Sequence, residues 1–160
     1  MGDPKPAFVP ARGRLSSGLY IVTTGVGDQA TGMLGSWVQQ AGFEPPAVTV
    51  AMHKERGVTE AFRACGHFCI SVLSPSSMHH CKHFGRGFDP DDKPFEGLDT
   101  TLAASGVPYL TDAHAYLACK IIGESTWSDH VIFCGEVVDG SCPDLEELPT
   151  THVRKNGLSY

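Results

Sequence analysis

Six stretches of the chain read as β-strands: LYIVTTGV (19–26), TGMLGSWVQQ (31–40), AVTVAMH (47–53), HFCISVL (67–73), AYLACKIIGEST (115–126) and HVIFCGEVVDG (130–140). They are mostly apolar and rich in β-branched residues, and turn signals such as GDQA and WSD bound them. The period changes in KERGVTEAFRAC, where Val58, Ala61, Phe62 and Cys65 fall at i, i+3, i+4 and i+7, one face of a short helix. SPSSMHHCKHFG (74–85) opens on Ser-Pro and Ser-Ser cap signals and predicts a second short helix. Residues 1–14, rich in Pro, Gly and Arg without a period, read as an arm. Residues 85–114 read as a long, partly ordered excursion, and a short strand is possible before Asn156-Gly157. Strands do not alternate with helices in βαβ fashion, so the pattern predicts an antiparallel barrel in a single domain over 15–160.

The second stretch is odd for a strand. TGMLGSWVQQAGFEPP carries Gly32 and Gly35 inside the pattern and then meets Pro45-Pro46. Interior glycine weakens a strand and marks a bulge or a close approach to the backbone. Alternation places Gly32, Leu34, Ser36, Val38 and Gln40 on one face and Thr31, Met33, Gly35, Trp37 and Gln39 on the other. Two explanations fit: a barrel corner, or a backbone edge kept bare for a flat heterocycle. The double proline is expected to break the pairing and end the strand.

The 160 residues suffice for one domain with a core, and 41% hydrophobic with 19% charged residues is a globular composition. A net charge of −6 argues against a nucleic-acid partner, though not against a local basic pocket. The six cysteines sit partly inside apolar runs (HFCISVL, VIFCGEVV), and there is no recognisable secretory leader. They are therefore expected as reduced, largely buried thiols in a cytoplasmic protein. No apolar run approaches the ~20 residues of a membrane-spanning helix.

Four constellations carry candidate chemistry. Lys54 and Arg56 precede the first helix and Thr59 lies in its first turn, a set that suits a phosphate at a helix N-terminus or merely a solvated helix start. The glycine-bearing strand is the second. The third is MHHCKHF, where His79 and His83 at i, i+4 could share a metal with His80 and Cys81 alongside; without a CxxC or a nearby carboxylate, no metal is assigned and a solvent-facing helix is the alternative. The fourth is the turn WSDH, whose His130 could orient a cofactor or simply cap the turn.

Taken in order, VTT, GMLGSW, EPP, K-x-R-x-x-T, GHFCISVL, HFGRGF, PFEGL and SDH resemble the flavin-reductase-like FMN-binding proteins of the split-barrel class, over about Gly18 to Gly140. The wording GSWVQQAGFEPP is most similar to the reductase modules of flavodiiron-type proteins. The resemblance implies a homodimer of six-stranded antiparallel, Greek-key split β-barrels, each with one FMN (or FAD) near the interface. It implies NAD(P)H as cosubstrate and, as an alternative, a flavoredoxin-like electron carrier with a protein partner. It assigns backbone of Thr31, Gly32, Met33, Leu34, Gly35, Ser36, Trp37 and Val38 to the isoalloxazine edge, with Ser36 and Trp37 lining the ring or ribityl chain. It assigns Lys54, Arg56 and Thr59 to the phosphate, Phe84 and Arg86 to the segment closing the pocket, and His130 to the nicotinamide face. The turn reads SDH where the family has GDH, and tryptophan follows serine where many reductases have phenylalanine.

Overall fold

The computed structural model describes residues 6–155. The elements in order are α1 (Phe8–Arg12), β1 (Ser17–Gly18), β2 (Tyr20–Thr24), β3 (Thr31–Gly35), β4 (Val38–Phe43), β5 (Pro46–His53), α2 (Gly57–Cys65), β6 (His67–Val72), α3 (His80–Gly85), β7 (Thr100–Leu102), β8 (Pro108–Leu110), β9 (Ala115–Thr126), β10 (His130–Ser141) and β11 (Thr151–His152). Part of the expected arm is thus helical, and a β7–β8 hairpin orders part of the excursion. The short strand foreseen near the C-terminus is β11, which pairs with β1.

Seven strands form one antiparallel sheet in the order β3-β2-β6-β9-β10-β5-β4. The stretch 31–40 is two strands, because the chain leaves the ladder at Ser36-Trp37 and β4 joins the far edge on β5. This connection dictates the shape. Laid flat, seven strands would separate the outer two by about 29 Å, yet Gly35 and Val38 are three chain steps apart, at most about 11 Å. The sheet must therefore curl until its edges nearly meet, with Ser36 and Trp37 crossing the gap, where the Ala51 N–H donates to the Trp37 carbonyl at 2.9 Å. That is a split barrel.

The reading of the double proline is also corrected. The double proline does not end the pairing. Glu44 and Pro45 form a two-residue hairpin turn, with a cis bond between them, and Pro46 opens β5 opposite Phe43. Pro46 is tolerated because it starts a strand at a hairpin end, where its missing donor is not needed.

The barrel interior holds Val22, Met33, Val48, Val50, Met52, Phe68, Ile70, Val131 and Phe133. Helix α2 seals one mouth by inserting Phe62, whose ring centroid lies 5.2 Å from Phe68 and 5.1 Å from Phe133. A second layer packs on the outer face of β2 and β3: Ile21, Leu34, Leu73, Phe84, Phe88, Phe95 and Leu110. Alternation divides these layers along both strands, Val22 and Met33 inward, Ile21 and Leu34 outward, with Met33 and Leu34 on opposite faces as expected. The VTT end of β2 is fully buried but satisfied: Thr23 donates to the Pro108 carbonyl and Thr24 to that of His67. All six cysteines are free, and burial pushes the thiols of Cys69 and Cys119 up to about 12.

Candidate functional site

Strand β3 is a sheet edge, so every second backbone N–H and C=O along it lacks a ladder partner. Over this edge opens a cleft of about 270 Å³, bounded by Thr31, Gly32 and Met33, by Arg56, Gly57 and Val58 at the start of α2, and by Gly85 to Phe88 after α3. No side chain caps the N-terminus of this nine-residue helix, so its first N–H groups and dipole face the cleft opening. Two guanidiniums border the same space. That of Arg56 is half-buried against the Met33 sulfur at 3.8 Å, and that of Arg86 lies 5.1 Å over the Phe88 ring. Two cations, a helix N-terminus and a bare strand edge form a donor set that fits a phosphate ester. A larger depression of about 540 Å³ lies between Gly27–Ala30 and Pro90–Glu96. Asp28, Asp91, Asp92 and Glu96 border it, so it does not suit an anion.

At the other end of β3 the crossover builds a second feature. The Trp37 ring lies 4.6 Å from the His130 ring, centroid to centroid, while the Arg154 guanidinium covers it at 4.7 Å. Arg154 also donates to the Ser36 hydroxyl at 2.8 Å. His130 stands directly across from His53 in the β10–β5 pair, which sets their rings edge to face at 5.4 Å. Asp129 accepts from His130 Nδ1 at 2.6 Å, and this bond holds the Asp129 carboxyl below its usual range. A small recess lined by Met33–Trp37, Ala51, Met52 and Arg56 joins the two features.

The expected residues fall into three groups. Thr31, Gly32, Met33, Arg56 and Arg86 line the cleft; Gly35, Ser36 and Trp37 line the recess with Leu34; His130 meets Trp37. The others lie elsewhere. Lys54 is exposed and does not border the cleft, its position set by its backbone N–H on the Asp129 carbonyl. Thr59 is fully buried, its hydroxyl donated to the His53 carbonyl, so it anchors α2. Val38 points into the barrel core. Phe84 is fully buried beneath the cleft: a Cβ on Gly32 would stand 3.2 Å from its ring and 3.1 Å from the Val22 carbonyl oxygen and the Thr23 methyl. The protein's own packing therefore favours a glycine at 32. His79 and His83, for which no metal was assigned, do not face one ion, since His83 Nε2 is 2.7 Å from the Pro94 carbonyl.

Arg154, His53, Gly87 and Phe88 were not anticipated. HFGRGF contained the signal for the last two, since Gly87 adopts φ +75° and turns Phe88 back over the cleft. Nothing local marks Arg154.

The described family that matches is the flavin reductase like domain, over residues 12–156. The chain is similar to diflavin flavoprotein A 1 of Synechocystis sp., 39% identical over 151 residues, which are 94% of this chain and 26% of that protein. The chain thus spans about a quarter of the length of the curated relatives it matches. Among solved structures it is similar to the NADH:FAD oxidoreductase SgcE6 of Streptomyces globisporus C-1027, at 26% identity and TM-score 0.79, over 90% of this chain and 80% of that one. The same oxidoreductase in complex with NAD and FAD fragments gives TM-score 0.80 at 26% identity, over 90% and 85%. The flavin reductase of the styrene monooxygenase from Pseudomonas putida S12, at 23% identity and TM-score 0.78 over 92% and 93%, shares the fold.

Proposed function

The chain belongs to the flavin reductase-like family, and from that premise we propose that it is an NAD(P)H-dependent flavin reductase that binds FMN across β3. The observation that carries the reading is the convergence of Arg56, Arg86 and the α2 N-terminus on the cleft beside a bare strand edge. FMN, with its terminal phosphate, suits that donor set; FAD is the alternative cofactor. When bound, FMN supplies the hydride-accepting ring for a nicotinamide donor.

The chain's residues bind and orient. Arg56 and Arg86 neutralise the phosphate. The outward N–H groups of β3 would hold the carbonyl edge of the ring and would favour negative charge there, as preorganised donors do. Trp37 and His130 stand at the far end of the strand, where His130, held by Asp129, orients the nicotinamide. A homodimer, a cytoplasmic setting and onward electron transfer to a partner or to oxygen complete the proposal. No helix among the described residues is long and apolar enough to cross a membrane.

A second reading is a carrier that keeps its flavin and receives electrons from a protein. The cover of Arg154 over Trp37 favours it, because that cover narrows the approach to the ring-binding end. The test is an anaerobic titration of the FMN-loaded protein with NADH and then NADPH, followed in the visible spectrum. Rapid bleaching at catalytic rates supports the reductase. Bound FMN that stays oxidised with both donors contradicts it in favour of the carrier.

A further inference from the structure

His79, His80 and Asp112 bring Nε2, Nε2 and a carboxylate to within 4.8 Å of one another, away from the cleft residues. His80 Nε2 lies 2.8 and 3.0 Å from the two Asp112 oxygens, and His79 Nε2 3.3 Å from Oδ2. We propose that these three side chains form a binding site for a borderline divalent transition-metal ion, with Zn²⁺ as the representative.

The geometry is unusual for neighbours in sequence. Successive side chains on a helix diverge by about 100°, yet these two rings converge at 4.0 Å between centroids on one carboxylate. His80 is the buried anchor, its side chain 4% exposed, whereas His79 at 62% and Asp112 at 46% leave an entry path from solvent. In a tetrahedral zinc centre with bonds of about 2.0–2.1 Å, ligand atoms stand about 3.3 Å apart. The distance from His79 to Asp112 Oδ2 already has this value, and that from His80 to the same oxygen, 3.0 Å, needs to open by about 0.3 Å. Both imidazoles turn an Nε2 toward the same carboxylate, so three ligand atoms already converge on one point. A single dication satisfies all three groups, and two nitrogens with one carboxylate oxygen is a donor set zinc accepts, with water in the fourth position.

The neighbouring candidates do not join this site. His83 is bonded to the Pro94 carbonyl, and the Cys81 sulfur lies 4.0 Å from that of Met78. The ion would pin the start of α3 to the loop after β8. Because α3 leads into Arg86, occupancy would also steady one wall of the cleft.

The test uses Zn²⁺ itself and the full chain, freed of metal and titrated at neutral pH against a chromophoric chelator. We expect one Zn²⁺ per chain and a higher melting temperature with the ion bound. His79→Ala and Asp112→Asn are expected to weaken uptake by at least about tenfold, since even loss of an outer partner costs about 10–100-fold. Asp112→Asn is close in shape and keeps the variant folded, which its metal-free circular dichroism and melting curve check. His83→Ala should bind Zn²⁺ as the parent does. Absence of stoichiometric uptake, or uptake that persists undiminished in folded His79→Ala and Asp112→Asn, overturns the proposal.

Discussion

The cleft at the start of α2 and the ring stack over Trp37 occupy opposite ends of β3, and they are assembled in opposite ways. Residues of the cleft come from short segments that each announce themselves: a strand edge with glycine, a helix start with a cation, and the FGRGF loop. The stack exists only because the barrel closes. Trp37 sits on the crossover between the sheet's two edges, His130 arrives from β10, and Arg154 from beyond β11. The cleft also rests on a buried aromatic layer through Phe84, whereas the stack is partly open and held by a cation, a ring and one hydroxyl. The first arrangement should fail through stability and charge. The second should fail through positioning, with little cost to the fold.

The largest expected effect lies beneath the cleft. Phe84→Ala removes a fully buried ring that meets His83, Phe88 and Phe95 at 5.0 to 5.8 Å. It should lower unfolding free energy by about 3–5 kcal/mol, read from urea denaturation. A loss under about 1 kcal/mol would show that the cleft floor does not depend on this layer. Arg56→Ala should come next, weakening FMN by about 10–100-fold through loss of a charge-assisted contact of about 1.5–3 kcal/mol, with the melting temperature nearly unchanged. Gly32→Ala follows, because the new methyl group presses on the Val22 backbone and Phe84 at 3.1–3.2 Å. It should cost about 1–2 kcal/mol in stability, and a neutral result would return the glycine to the service of a ligand alone.

The stack should respond more gently. Arg154→Ala should cost less than about 1 kcal/mol in stability, the size of a partly exposed cation–π contact. In a Trp127→Phe background, which removes the exposed indole, it should still shift Trp37 fluorescence and speed quenching by iodide. Unchanged emission would dissolve the stack as a unit. The smallest effect is on pH dependence. His130 lowers the Asp129 pKa, so this contact contributes above the ordinary carboxylate range and is lost as pH falls through the lowered value. Asp129→Asn should flatten that acidic limb, measured as the pH dependence of thermal stability.

Much of the fold was legible because it is local. Five of the six strand stretches, both short helices and the buried face of the first follow from period and cap residues, and alternation sets Met33 and Leu34 on opposite faces of β3. The break of 31–40 into two strands was not legible, since only ring closure reveals that Gly35 and Val38 belong to opposite edges. The role of Pro45-Pro46 was misread for a related reason: a proline at the first position of a strand looks the same in sequence as one that ends it. At the site, Arg56 was a candidate from charge beside a helix start and Arg86 from the family resemblance alone; both border the cleft. Lys54 and Thr59 share that signature but point to solvent and to the core, a difference set by the turn of the first helical residues. Arg154 had no signal at all, being 118 residues from Ser36, whose hydroxyl it meets.

The central claim is that the cleft holds a flavin by its phosphate. The direct measurement is the affinity of FMN against that of riboflavin, which lacks the phosphate, for the parent chain and for Arg56→Ala and Arg86→Ala, by fluorescence quenching of the flavin. The account predicts that the parent prefers FMN by at least about tenfold and that each substitution narrows this preference by weakening FMN while leaving riboflavin unchanged. Equal affinity for the two flavins in the parent, or substitutions that weaken both alike, would contradict it.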